Sequence, residues 1–248
     1  MDEESLRSHR MSKPLPAQDD PLPLSSDNDP DAEDDDPAPD LPAVHRYLVQ
    51  LIVDRDEANA LYRQFAPDLR RAAQANPNPR PERARLVLRG SLIRRLVALQ
   101  QSEHCHLPIP ELDSSAEEAR FDAIWRTELL DRTWQRLKHL QEKTGQPFFL
   151  ALRQRAETPG LSAPELADRI AHALDRPISA NTTQKLLRRA NTQFSQMLLE
   201  EVLATLPANP PFETIERELI ETNLLAFCRE AIGGLRRRSS SSYRRPKP

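Results

Sequence analysis

Apolar residues recur through the middle of the chain at spacings of three and four, the period of an α-helix, and no run alternates as a half-buried strand does. The pattern predicts a first helix over Ala43–Val53, with Val44, Leu48 and Leu51 or Ile52 on one stripe. A second starts near Asp56, carries Ala58, Leu61, Tyr62 and Phe65, and is expected to kink or restart at Pro67. After the loop AQANPNPRP, a third runs over Pro81–Gln101, with Leu86, Ile93 and Val97 inward and Arg85, Arg89, Arg94 and Arg95 outward. SEHCHLPIPELD has two prolines and no sustained period, which places an interdomain linker over 102–114. Beyond it a long helix over Ser115–Lys143 should end before Gly145 in a left-handed cap, and a short helix covers Phe148–Glu157.

The next stretch is the most specific. Ser162-Ala163-Pro164-Glu165 has the spacing of a capping box, in which the Ser hydroxyl and the Glu carboxylate each satisfy a free backbone N–H. The helix it starts should bury Ala163, Leu166, Ala167, Ile170 and Leu174. DRPI then breaks the period, and Ser179 caps a helix from Ala180 to about Leu206, roughly 40 Å at 1.5 Å per residue. This is helix-turn-helix spacing. At 100° per residue Leu187, Ala190, Phe194, Leu198 and Thr205 share one side of the second helix, and Asn181, Lys185, Arg188 and Thr192 the other. Residues 180–195 hold three positive charges and no negative one; acids return only at Glu200 and Glu201. Recognition helices present side chains from their first turns to base edges, and Lys and Arg neutralise phosphates. A solvated face on a protein-interaction module is the plain alternative, and spacing alone does not choose between them.

Composition agrees with helices. Of 248 residues 38% are hydrophobic and only 5 are Gly, which disfavours a turn-rich β architecture. The formal net charge of -3 hides a division: residues 1–42 hold 13 acidic and 3 basic side chains with eight of the 23 prolines, and residues 43–248 carry a net +7. The first 42 residues are expected to be disordered, as is the basic tail over 233–248, LRRRSSSSYRRPKP after its first glycines. Without those six tail cations the part between is nearly neutral, so its positive charge is local. No apolar run approaches the roughly 20 residues that cross a bilayer, and no apolar signal core follows MDEESLRSHR, so a cytoplasmic protein without membrane contact is expected. Cys105 and Cys228 are expected to be reduced thiols.

FDAIWRTELLDRTWQRLKHLQEKTGQPFFLALRQRAETPGLSAPELADRIAHALDRPISANTTQKLLRRANTQFSQMLLEEVLATL closely resembles the C-terminal promoter-binding domain of extracytoplasmic-function RNA polymerase sigma factors, and IERELIETNLLAFCREAI is similar to a C-terminal extension in one bacterial subgroup. VHRYLVQLIVDRDEANALYRQFAPDLRRAAQANPNPRPERARLVLRGSLIRRLVALQQ resembles their N-terminal core domain in weakened form. The resemblance implies an all-α fold of two helical domains, the N-terminal over 43–101 and the helix-turn-helix domain with its extension over 115–232. It implies core RNA polymerase and promoter DNA as partners and leaves a place for an anti-sigma factor. Carried over residue by residue, Asp56, Glu57, Leu61, Tyr62, Gln64 and Phe65 would dock on polymerase. Asn181, Thr182, Gln184, Lys185, Arg188 and Arg189 would read the -35 element, and Arg89, Arg94 and Arg95 would touch DNA from the helix that melts the -10 element. The sequence departs from the family there. Arg85, Leu86, Val87 and Leu88 stand where aromatics are expected, and capturing an unstacked base takes a flat ring or an Arg plane.

Two alternatives follow from that departure: a degenerate sigma-like adaptor or regulator without promoter melting, and a repressor that binds DNA without polymerase. No Ser/His/Asp order, carboxylate pair or phosphate loop argues for an enzyme, and no cofactor is implied. His104-Cys105-His106 has no partner Cys/His pair and is a weak zinc signal. Trp125 and Trp134, nine apart on one helix, point in opposite directions and are expected to pack on two different surfaces. The acidic segment reads either as a solvating brush or as a mimic of nucleic acid that competes for the basic helices.

Overall fold

The computed structural model describes residues 41–74, 83–102 and 114–242, and among them the fold is all-α, with nine helices and no strand. The acidic segment up to residue 40, the loop over 75–82, the linker over 103–113 with His104, Cys105 and His106, and residues 243–248 lie outside the described residues.

The first helix, α1 (Pro42–Leu51), opens with proline, whose missing N–H costs nothing at a helix start. It stops at Ile52, which turns extended and leaves Val53 fully exposed. The Asp54 carboxylate then accepts from the N–H groups of Asp56 and Glu57, at 2.8 and 3.2 Å, and so starts α2 (Arg55–Gln74). Contrary to the expected kink or restart, α2 continues through Pro67 as one helix, with Phe65, Ala66 and Leu69 buried around it. After the loop comes α3 (Ala84–Gln100).

The central rod α4 (Ser114–Thr144), 31 residues or roughly 46 Å long, ends where Gly145 takes φ +69°, the left-handed cap expected from sequence. The short α5 (Phe148–Glu157) lies against it. Ser162 and Glu165 form the complete capping box at the start of α6 (Ala163–Ala173), with the Glu165 carboxylate accepting from the Ser162 N–H at 2.8 Å. A six-residue connection leads to α7 (Ala180–Ala204), the hub against which α4, α5, α6 and α9 (Leu225–Ser242) pack. Between α7 and α9 lies α8 (Phe212–Glu221), ended by Asn223 at φ +56°.

One contiguous hydrophobic core runs from Ala43 in α1 to Ile232 in α9. The helices expected in two separate domains share it: Tyr47 of α1 tilts against Phe121 of α4 with ring centroids 5.7 Å apart, and its hydroxyl donates to the buried Glu117 carboxylate at 2.5 Å. A small satellite cluster, Ala151, Leu166 and Ile170, holds α6 onto α5 and α7. Among the described residues no helix is long and apolar enough to cross a membrane.

One further expectation is corrected. The inward stripe of α3 is Arg85, Leu88, Leu92 and Leu96, rotated from the expected Leu86, Ile93 and Val97, which are only half-buried. Apolar residues occur all round this helix, so periodicity did not select the side that packs. Helix α9 runs past Gly233 and Gly234 as far as Ser242.

Candidate nucleic-acid interface

The basic face is built by local signals. At the end of α6, Asp175 takes φ +49°, the Arg176 N–H reaches back to the Ala171 carbonyl at 3.1 Å and the Asp175 N–H to His172 at 3.3 Å. These two bonds satisfy carbonyls that the helix end leaves free and turn the chain sharply. Ser179 then accepts from the Thr182 N–H at 3.2 Å and starts α7 in its new direction. The exposed first turn of α7 also presents N–H groups and the positive end of its dipole, which favour a phosphate.

Asn181, Thr182, Gln184, Lys185, Arg188 and Arg189 are all exposed on the first three turns of α7. At 100° per residue they occupy an arc of about 160°. The opposite side buries Thr183, Ala190 and Phe194. Lys185, Arg188 and Arg189 make no ion pair among the described residues. Further along, the acids close the face. Glu200 and Glu201 accept from Arg136 of α4 at 2.6 and 2.8 Å, and those bonds, Glu200 first, hold the Arg136 guanidinium above its ordinary pKa despite partial burial. Thr192, on the same polar side, donates to Glu230 of α9 at 2.9 Å. The accessible cationic stretch is thus the N-terminal half of α7.

The arginines of α3 are placed differently. Arg85 is 1% exposed and its guanidinium donates to Glu218 at 2.8 Å, to Asp122 at 2.7 Å and to Glu221 at 2.6 Å. Burial pushes against its charge, but the Glu218 and Asp122 carboxylates outweigh it and leave the group more firmly protonated than in water. Arg83 joins the cluster through Glu218 and Glu221, and Arg89 binds Asp122 at 3.0 Å and Glu118 at 3.3 Å. Desolvation works against the Glu221 carboxylate, yet Arg83 and Arg85 draw its pKa below the ordinary value. The Arg95 guanidinium binds Asp68 at 2.5 Å and lies 5.8 Å from the centre of the Phe65 ring. Of the expected α3 contacts, Arg94 points to solvent, and among the described residues its partner is the Ser91 hydroxyl. Arg89 and Arg95 are therefore tied within the fold, and Arg85 is core, not surface.

The expected polymerase-docking set divides as well. Leu61, Tyr62 and Phe65 are buried in the core, with Tyr62 also edge-on to His45, and Asp56, Glu57 and Gln64 face outward or lie at the edge. The two tryptophans pack on opposite sides of α4: Trp125 stacks on Phe121, and Trp134 meets Phe149 edge-on and Phe194 at 4.9 Å. No cluster of three or more His, Cys, Asp or Glu with metal-binding geometry lies among the described residues. The buried Arg85 cluster was invisible in the sequence because its partners lie 33 to 138 positions away. No family model, curated protein or solved structure matches the chain.

Proposed function

We propose that the chain is a non-enzymatic, DNA-binding transcription factor of the sigma type, acting in the cytoplasm to bring RNA polymerase to promoters, with α6 and α7 forming the helix-turn-helix. The observation that carries this reading is the exposed, acid-free arc of Asn181, Thr182, Gln184, Lys185, Arg188 and Arg189 on the first turns of a helix held at a capped, sharp turn. Lys185, Arg188 and Arg189 would neutralise phosphates, and Asn181, Thr182 and Gln184 supply the amide and hydroxyl groups that read base edges. Polymerase contact would fall to Asp56, Glu57 and Gln64, since the apolar members of that set are buried.

A second reading, an adaptor or regulator that does not melt promoters, is favoured by one specific observation. The helix that would engage the melted strand has Arg85 and Arg89 bound to carboxylates of α4 and α8 and carries no aromatic side chain. One experiment separates the readings. The full chain with Lys185→Ala and Arg188→Ala is titrated against duplex DNA selected by the wild-type protein, over a range of salt. Binding should weaken and the log–log salt slope should flatten by about 2. Unchanged binding overturns DNA recognition by α7. Association with core polymerase and promoter DNA without an open complex would establish the second reading over the first.

A further inference from the structure

Between α4, α5, α7 and the first turn of α9 runs an open groove of about 330 Å³, lined by Trp134, Phe194 and Phe227 together with Leu130 and Leu152. Trp134 and Phe194 meet with ring centres 4.9 Å apart. Phe227 is 51% exposed, an unusual state for a large apolar side chain in this molecule. A phenylalanine left in water beside two packed aromatic rings makes a stacking platform. A further flat ring entering the groove would take Phe227 out of water and gain ring contact at the same time.

The polar groups around the groove narrow what such a ring belongs to. Asn191 is exposed, lines the groove and is turned only about 20° beyond Gln184 on α7. The groove thus opens at the edge of the basic arc. The Asn191 amide offers both donors and an acceptor, the set that pairs with the edge of a nucleobase. Arg155, also in the lining, donates to the Pro159 and Leu161 carbonyls at 3.2 and 2.8 Å and meets no carboxylate among the described residues. Arg126 stands one turn before Leu130 and Arg188 one turn before Asn191, and neither makes an ion pair among the described residues. The neighbouring acids are engaged, Glu157 by Arg153 and Glu230 by Thr192. Three cations about a ring-lined groove suit a polyanion that carries flat bases.

We propose that this groove binds an unpaired base of a single-stranded nucleic acid, DNA or RNA, with the base on Phe227 and Trp134, its edge met by Asn191, and the flanking phosphates met by Arg126, Arg155 and Arg188. Stacking accepts every base, because each has a flat face, so discrimination between bases rests on the one amide and is weak. The rings that hold the base take no part in duplex contact by the first turns of α7. The site therefore goes beyond the function proposed above and stands or falls separately from it.

The test uses the full chain and labelled strands of equal length and charge: oligo(dT), oligo(U) and an abasic strand that keeps the phosphates and lacks the bases. The wild-type protein should bind oligo(dT), oligo(U) or both about tenfold more tightly than the abasic strand, the value of one stacked base, and the tighter of the two names the source. Phe227→Ala should bring that preference to within about twofold, leaving abasic and duplex binding unchanged, and Phe227→Trp should keep it. Because Phe227 is half-exposed, urea unfolding of both variants should match the wild type. If Phe227→Ala does not fold, the wild-type comparison and Phe227→Trp decide. No preference for either strand over the abasic one, or a preference that survives Phe227→Ala, overturns the proposal. So does loss of core-polymerase association in Phe227→Ala with oligo(dT) and oligo(U) binding intact, which assigns the groove to a protein partner.

Discussion

Helix α3 and the first half of α7 look alike in charge, each carrying cations and no acid, and the fold uses those charges in opposite ways. In α3, Arg85 is turned into the core and tied to Glu218, Asp122 and Glu221, while Arg89 closes on Asp122. In α7, Lys185, Arg188 and Arg189 face solvent with no carboxylate opposite among the described residues. A count of cations along a chain therefore measures potential charge only. Available charge depends on which carboxylates the fold brings up to it, and in this molecule the carboxylates of α4 and α8 come up to α3 and not to the first half of α7.

The sharpest way to break the contrast is to remove Arg85. Alanine there leaves Glu218, itself 1% exposed at the side chain, buried with only Arg83 to answer it. A loss of about 3–5 kcal/mol is expected, read by urea unfolding of the full chain. Replacing Arg85 and Glu218 together by leucine should recover much of that loss, since a buried ion pair gains little over apolar packing of similar volume. Equal costs for the single and double replacements would show that the cluster acts by packing alone.

Titration gives a second, smaller handle on buried against exposed groups. Burial pushes the Cys228 thiol of α9 from its ordinary value of 9.0 up to about 12. A pKa raised in the folded state means that the contribution is whole below the ordinary thiol value and is lost as pH climbs toward the folded one. Stability should hold to about pH 9 and then decline, and Cys228→Ala should flatten the part of the decline between pH 9 and 12. Tyr47, raised by burial and then by its bond to Glu117, adds a further loss at higher pH that the variant keeps. On the acid side the sign reverses: the Glu221 pKa is depressed, so its contribution is present above the ordinary carboxylate value and disappears as pH falls through the lowered one. The Glu221→Gln variant should show a shallower acid limb.

Smaller again is the cap that aims α7. Ser179→Ala removes the acceptor for the Thr182 N–H and should cost about 1 kcal/mol, with DNA affinity falling as the first turn frays. Smallest in stability, and for that reason the cleanest contrast with Arg85, is Lys185→Ala with Arg188→Ala. Exposed cations without partners contribute within about 0.5 kcal/mol, so urea unfolding should be unchanged while DNA binding falls. A large destabilisation would mean that these side chains have partners and that the comparison between the two helices fails.

Much of the frame was legible because it is written locally. The Ser162–Glu165 box, the Ser179 cap, Gly145 at the end of α4 and the 180° offset between Trp125 and Trp134 each depend on residues within a few positions of one another, and each is found as expected. The polar face of α7 was legible for the same reason, since its apolar side is distinct. What failed was long-range. With leucines, isoleucine and valines on every side of α3, the stripe that packs was decided by Arg85 meeting Glu218 at a separation of 133 positions. The shared core of α1, α4 and α7 was hidden behind the proline-rich stretch over 102–114, which reads as a boundary by composition although the helices on either side of it are packed together. Pro67 was misjudged because burial of Phe65, Ala66 and Leu69 in the shared core outweighs the single hydrogen bond that proline removes.

The distance between Arg85 and its carboxylates also sets an order of events at the ribosome. A chain made from its N-terminus can form α1 to α4 long before residues 218 and 221 exist, and through that interval the guanidinium of Arg85 has only Asp122 to answer it. The nascent chain thus shows a more cationic surface than the folded protein, and it hides that surface only when α8 is made and its carboxylates reach α3. Polypeptides cut short before α8 should be the forms that cling to polyanions, RNA included, whatever the folded protein binds.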